Sequence, residues 1–121
     1  MKRDILNRGD IELVVTQFYE KVRAEPIINS FFTEVVQVDW DKHNALMCDF
    51  WENILFYTGD YGGNPLETHK RINAIRKTED THFRKWESLF FDTVDSLFEG
   101  ANCQKIKLHA RGIAGIMQQK I

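Results

Sequence analysis

The stretch Asp39–Leu55, "DWDKHNALMCDFWENIL", carries Trp40, His43, Met47, Phe50, Trp51, Ile54 and Leu55 on one face. Recurrence at three and four residues is the mark of an amphipathic helix. Asp39 stands where a capping carboxylate belongs, and the turn-rich "TGDYGGN" from Thr58 to Asn64 ends the pattern. At about 100° per residue, Met47, Phe50 and Ile54 fall within about 40° of His43, so an imidazole sits in the middle of the apolar stripe. That placement makes the helix a core element with a polar group aimed inward.

The same period runs outward in both directions. With Asp10 as its cap, Ile11, Val14, Val15, Phe18, Tyr19 and Val22 form one face that stops before Pro26. "EPIINSFF" (Glu25–Phe32) reads as a short helical turn that presents Phe31 and Phe32 inward. Pro65, after two glycines and a capping Asn, opens a helix with Leu66, His69, Ile72 and Ile75 three apart. "KTEDTHF" (Lys77–Phe83) is the cap region of the next, which carries Phe83, Trp86, Leu89, Phe90, Val94, Leu97 and Phe98 and is closed by Gly100 as a C-cap. A last helix from about Asn102 carries Ile106, Ala110, Ile113 and Met117. "ELVVTQF" (Glu12–Phe18) passes locally as a strand, but nothing else in the chain would pair with it. The expectation is all-α.

Length and charge narrow the function. A chain of 121 residues with 43% hydrophobic residues is read as a single domain, 1–121, with a real core. A formal charge of -2 with interspersed signs gives no electrostatic case for nucleic acid or an anionic membrane. The start "MKRDILNRGD" turns polar before any apolar run of signal length, and no stretch nears the roughly 18 apolar residues of a span, which predicts a soluble cytoplasmic protein. Cys48 and Cys103 lie far apart on helical patterns and are expected as reduced, buried thiols.

Tyr19, His43 and His69 thus point at the core from three helices, and each needs a partner or costs roughly 1–3 kcal/mol. One such histidine alone is most simply a hydrogen-bonded core residue, and a cofactor-free helical interaction module with structural His and Tyr is the alternative reading. Two histidines and a tyrosine among so many Phe and Trp suit a ligand pocket. A flat apolar cofactor wants aromatic walls, one neutral imidazole for a metal, and donors only where the metal's other face reacts, which describes a haem pocket. Zinc lacks a HExxH or paired-Cys signature, and a di-iron bundle lacks its second Glu-x-x-His unit beyond Glu79–His82.

Four motifs in this order, "FYEKV", "DKHxxxxxDFW", "GDYGGNPLxxH" and "HFRKWxSLF", make the chain resemble the truncated haemoglobins of group III (the P type) from about residue 10 to 118. The resemblance implies an abbreviated globin, a two-over-two helical sandwich, holding haem b non-covalently. It makes His69 the ligand of the iron, rather than His82, which opens a helix and is expected to cap it or face solvent. It makes Tyr19, His43 and Trp86 the distal residues around bound gas. Phe31, Phe32, Met47, Phe50, Trp51 and Ile72 are expected pocket walls, and Arg76, with Lys70, Arg71 and Lys77, is a candidate for the propionates. His109 is assigned a structural role. The paired-glycine motifs of the other truncated groups are not evident, Gly62 and Gly63 lacking a companion pair.

The implied function is reversible binding of oxygen, nitric oxide and carbon monoxide by a monomer. Oxygen handling, sensing and detoxification share one site, so nitric oxide dioxygenase or peroxidase-like activity with an unidentified reductase stays open beside simple gas binding.

Overall fold

The computed structural model describes residues 2–32, 39–58, 70, 73 and 77–120, the last four of these in backbone only. The helix expected after Pro65, with His69, Ile72, Ile75 and Arg76, lies outside the described residues, as do Arg71, Gly62, Gly63 and the side chain of Met117. Every regular element among the described residues is helical: α1 (Arg8–Ala24), α2 (Pro26–Ser30), α3 (Trp40–Phe56), α4 (Asp80–Leu97) and α5 (Ala101–Lys120). The all-α expectation holds.

α1 buries the whole face read from its sequence, Ile11, Val14, Val15, Phe18, Tyr19 and Val22. Each large apolar side chain so buried stabilises the fold by about 1.5–3 kcal/mol. α1 packs on α3 to one side and α4 to the other, α5 packs on α4 and also reaches α3, and α2 bridges α1 and α4. The pair α1 and α3 therefore lies over the pair α4 and α5, the two-over-two globin-like sandwich expected.

Two terminus assignments differ from expectation. Asn7, not Asp10, is the N-cap of α1, its side chain accepting from the Asp10 N–H at 3.0 Å. Asp10 lies inside the first turn, 5% exposed, where it pairs with Arg3 and accepts from the Leu6 N–H at 2.8 Å. Gly100 does not close α4 either, since Phe98 is its C-cap, in extended backbone. The carbonyl of Gly100 instead accepts the first bond of α5, from the Gln104 N–H at 3.0 Å. The glycine is required for a different reason. It has φ 131, and a Cβ there would stand 2.6 Å from the Asp4 Cγ. Asp4 must come that close because its carboxylate caps α5, accepting from the N–H groups of Asn102 and Cys103 at 2.9 Å each.

Asp39 is the cap predicted for α3, accepting from the Lys42 N–H at 3.3 Å. At the start of α4, the His82 Nδ1 accepts from the Glu79 N–H at 2.8 Å, so this histidine caps its helix as expected.

Candidate functional site

The face of α1 carries Tyr19 and the face of α3 carries His43, and packing of the two helices brings their rings to 4.7 Å at an interplanar angle of 83°. Tyr19 is 6% exposed, and burial, helped by the nearby Cys48, pushes its phenol well above the ordinary tyrosine range, so it keeps its hydroxyl proton. Burial lowers the pKa of His43, so its imidazole is neutral near pH 7. The His43 Nε2 is buried and has no hydrogen-bond partner among the described residues, and neither does the Asn44 Oδ1.

Aromatic rings surround this pair. Phe32 stands 6.0 Å from both Tyr19 and His43. Trp40, at the first residue of α3, stacks on Phe32 at 5.5 Å and meets Tyr19 at 5.7 Å and His43 at 5.8 Å. Trp40 is not among the wall residues expected from the sequence, although it opens the same stripe as His43 one turn earlier, and that spacing is the signal that would have found it.

Trp86 joins a second set of rings. On α4 it lies parallel to Phe90 at 5.7 Å, Phe90 stacks on Trp51 of α3 at 5.0 Å, and Trp51 stacks on Phe50 at 4.9 Å. Phe18 links the two sets, edge-on to Trp86 at 5.8 Å and beside Tyr19 at 4.8 Å. Met47 is half-buried against the same core. Phe31 is buried at the end of α2 with its ring edge-on to His82 at 4.8 Å. The structure thus gathers Tyr19, His43 and Phe32 into one cluster, joins Trp86, Trp51 and Phe50 to it through Phe18 and Phe90, and sets Phe31 against the cap of α4.

Other expectations resolve simply. Lys70 and Lys77 are exposed, and so is His109, which had been assigned a structural role. Cys48 and Cys103 are buried free thiols, and burial pushes the Cys48 thiol up to about 11. Among the described residues no group of three or more His, Cys, Asp or Glu is placed to hold a metal ion, and no helix is long and apolar enough to cross a membrane.

Comparison with solved structures decides what fold this is. The crystal structure of the group III truncated haemoglobin from Campylobacter jejuni matches with a TM-score of 0.85 at 28% identity, covering 98% of this chain and 94% of that one. The fold is that of a group III truncated haemoglobin. The curated group 3 truncated haemoglobin ctb of the same organism is 27% identical over 124 residues, which span 100% of this chain and 95% of the relative. The structure of THB1 from Chlamydomonas reinhardtii has the same fold at 21% identity, with a TM-score of 0.67 over 95% of this chain and 89% of that one. No protein-family model matches the chain. In this chain the fold sets Tyr19 of α1 and His43 of α3 edge to edge, and brings Trp86 of α4 to within one ring, Phe18, of Tyr19.

Proposed function

We propose that this protein is a haem-binding globin that reversibly binds oxygen and other diatomic gases. The observation that carries the reading is buried Tyr19 beside half-buried His43, whose Nε2 is buried and has no partner among the described residues inside an aromatic shell. A buried polar atom without a partner costs about 1–3 kcal/mol, a cost that a ligand able to meet it removes. The residues present fit haem b held non-covalently, since Phe31, Phe32, Met47, Phe50, Trp51 and Trp86 are apolar or aromatic and Tyr19 and His43 supply polar atoms at one place. The name of the Campylobacter relative supports the same group.

His69 is proposed as the iron ligand, Ile72 as a wall and Arg76 as a propionate partner. Haem, when bound, would supply an iron that takes up diatomic gas. Tyr19, protonated across the physiological range, would be the hydrogen-bond donor to a gas that carries partial negative charge. The Trp86 indole N–H is a second donor. His43, neutral, stands beside the tyrosine as gate or hydrogen-bond partner. The surrounding rings exclude water, which strengthens each of these bonds.

Nitric oxide dioxygenase or peroxidase-like activity is the enzymatic extension of this reading, with an unidentified reductase as partner. A cytoplasmic monomer of one globin domain is the simplest form that performs it. The test is the absorption spectrum of the purified protein: a Soret band with stoichiometric haem is expected, and a colourless protein that folds cooperatively and takes up no added haem overturns the reading.

A further inference from the structure

The Nε2 of His43 is buried and has no hydrogen-bond partner among the described residues, so no hydrogen bond at that atom orients the ring. Shape contacts take a correspondingly larger part in holding it. Three aromatic neighbours meet it edge-on: Tyr19 at 4.7 Å and 83°, Trp40 at 5.8 Å and 83°, and Phe32 at 6.0 Å and 78°. These are the T-shaped arrangements that the ring quadrupole favours.

The three neighbours are anchored differently. Tyr19 belongs to the buried face of α1. Phe32 follows α2 and packs against the same core. Trp40 is half-buried at the first residue of α3, where the Asp39 cap holds the backbone. Besides its contact with Tyr19 at 5.7 Å, its two broad faces carry further contacts. Phe32 stacks on it at 5.5 Å and 26°. The Arg23 guanidinium, from the last turn of α1, stands over its ring at 4.8 Å. Arg23 is exposed, so a surface cation and the half-buried imidazole are joined through one indole.

We infer that Trp40, pinned from outside by Arg23, is a positioning residue that holds the His43 imidazole against Tyr19 and thereby sets how readily gas enters past that histidine. The inference rests on the haem-globin reading for its consequence at the gas site, while the positioning itself is a property of the polypeptide. Among the described residues the indole supplies one of the three aromatic edges that meet the His43 ring, and its own position depends in part on a solvent-facing contact. Losing the guanidinium leaves the indole held by Phe32 and Tyr19, and a looser indole limits the swing of His43 toward solvent less.

The experiment compares Arg23→Gln, Trp40→Leu and Trp40→Phe with the wild type in the protein as purified. Deuterium exchange at the imidazole C2 position reports the solvent access of each histidine separately, with His82 and His109 as references in the same molecule. Flash photolysis reports carbon monoxide association. Exchange at His43 should quicken by about 2-fold to 5-fold in Arg23→Gln, the factor that an exposed cation–π contact represents. It should quicken by about 2-fold to 12-fold in Trp40→Leu, the factor for one edge-to-face aromatic pair. Trp40→Phe keeps an aromatic edge and should stay near the wild type. Carbon monoxide association should rise in the same order.

Unchanged His43 exchange in Arg23→Gln and Trp40→Leu overturns the inference, and so does equal quickening at His82, which marks general loosening. Faster exchange with unchanged carbon monoxide association overturns the link to gas entry. Should Trp40→Leu fail to fold, Arg23→Gln, which alters only an exposed side chain, decides alone. A wild type without haem refutes the functional reading instead, and the exchange comparison on that same protein still decides whether Trp40 positions His43.

Discussion

Replacing Tyr19 by Phe deletes one hydroxyl and leaves the ring where it is. The ring is buried among Phe18 at 4.8 Å, His43 at 4.7 Å, Trp40 at 5.7 Å and Phe32 at 6.0 Å, contacts that phenylalanine makes equally well. Burial raises the pKa of the phenol, so the group lost is a protonated donor across the physiological range. A hydrogen bond to a partly charged acceptor contributes about 1.5–3 kcal/mol, so oxygen dissociation should quicken by about 10-fold to 150-fold. Carbon monoxide is the control, because its outer atom carries far less negative charge and its dissociation should change much less. Stopped-flow dissociation of both gases from wild type and Tyr19→Phe is the assay. Equal acceleration of the two gases would refute the hydrogen-bond account, since it would mean a loosened pocket and not a lost electrostatic contact.

Three further outcomes are expected. His69→Gly should bind haem weakly unless imidazole is supplied, whereas His82→Ala should keep the Soret band and lose about 0.5–2 kcal/mol of stability in a denaturant titration, the worth of the cap on α4. Gly100→Ala should lower the melting temperature by about 5 °C or more, because φ 131 strains any side chain and the new Cβ meets the Asp4 carboxyl at 2.6 Å; a melt unchanged by the substitution would mean that Asp4 does not cap α5. Asp10 provides a pH test. The hydrogen bond from Arg3 holds its folded pKa below the ordinary 3.8, so its contribution is fully present above that value and is lost as pH falls through the lower folded value. Acid unfolding followed by circular dichroism should accordingly show a shallower loss of stability below about pH 4 in Asp10→Asn than in the wild type.

Periodicity within single helices determined much of this protein by itself. Spacings of three and four residues depend only on the geometry of one helix, so the inward faces of α1, α3 and α4, the Asp39 cap, the capping role of His82 and the inward placement of Tyr19 and His43 were all legible from the chain. The resemblance in motif order likewise anticipated the truncated-haemoglobin fold that the solved structures share. What failed to be legible depends on partners that periodicity does not see. Asp10 has the composition of a cap, but Arg3 and the Leu6 N–H draw its carboxylate into the N-terminal segment, and Asn7 takes the cap instead. Gly100 has the composition of a C-cap, but its constraint is set by Asp4, which reaches the amide of Asn102 across 98 residues of chain. His43 was visible as an inward imidazole. That its Nε2 finds no partner among the described residues, that Tyr19 meets it edge-on and that Arg23 covers the indole beside it were decided only when α1 packed on α3, because residues remote in sequence become neighbours through the burial of two apolar faces and through nothing local to either.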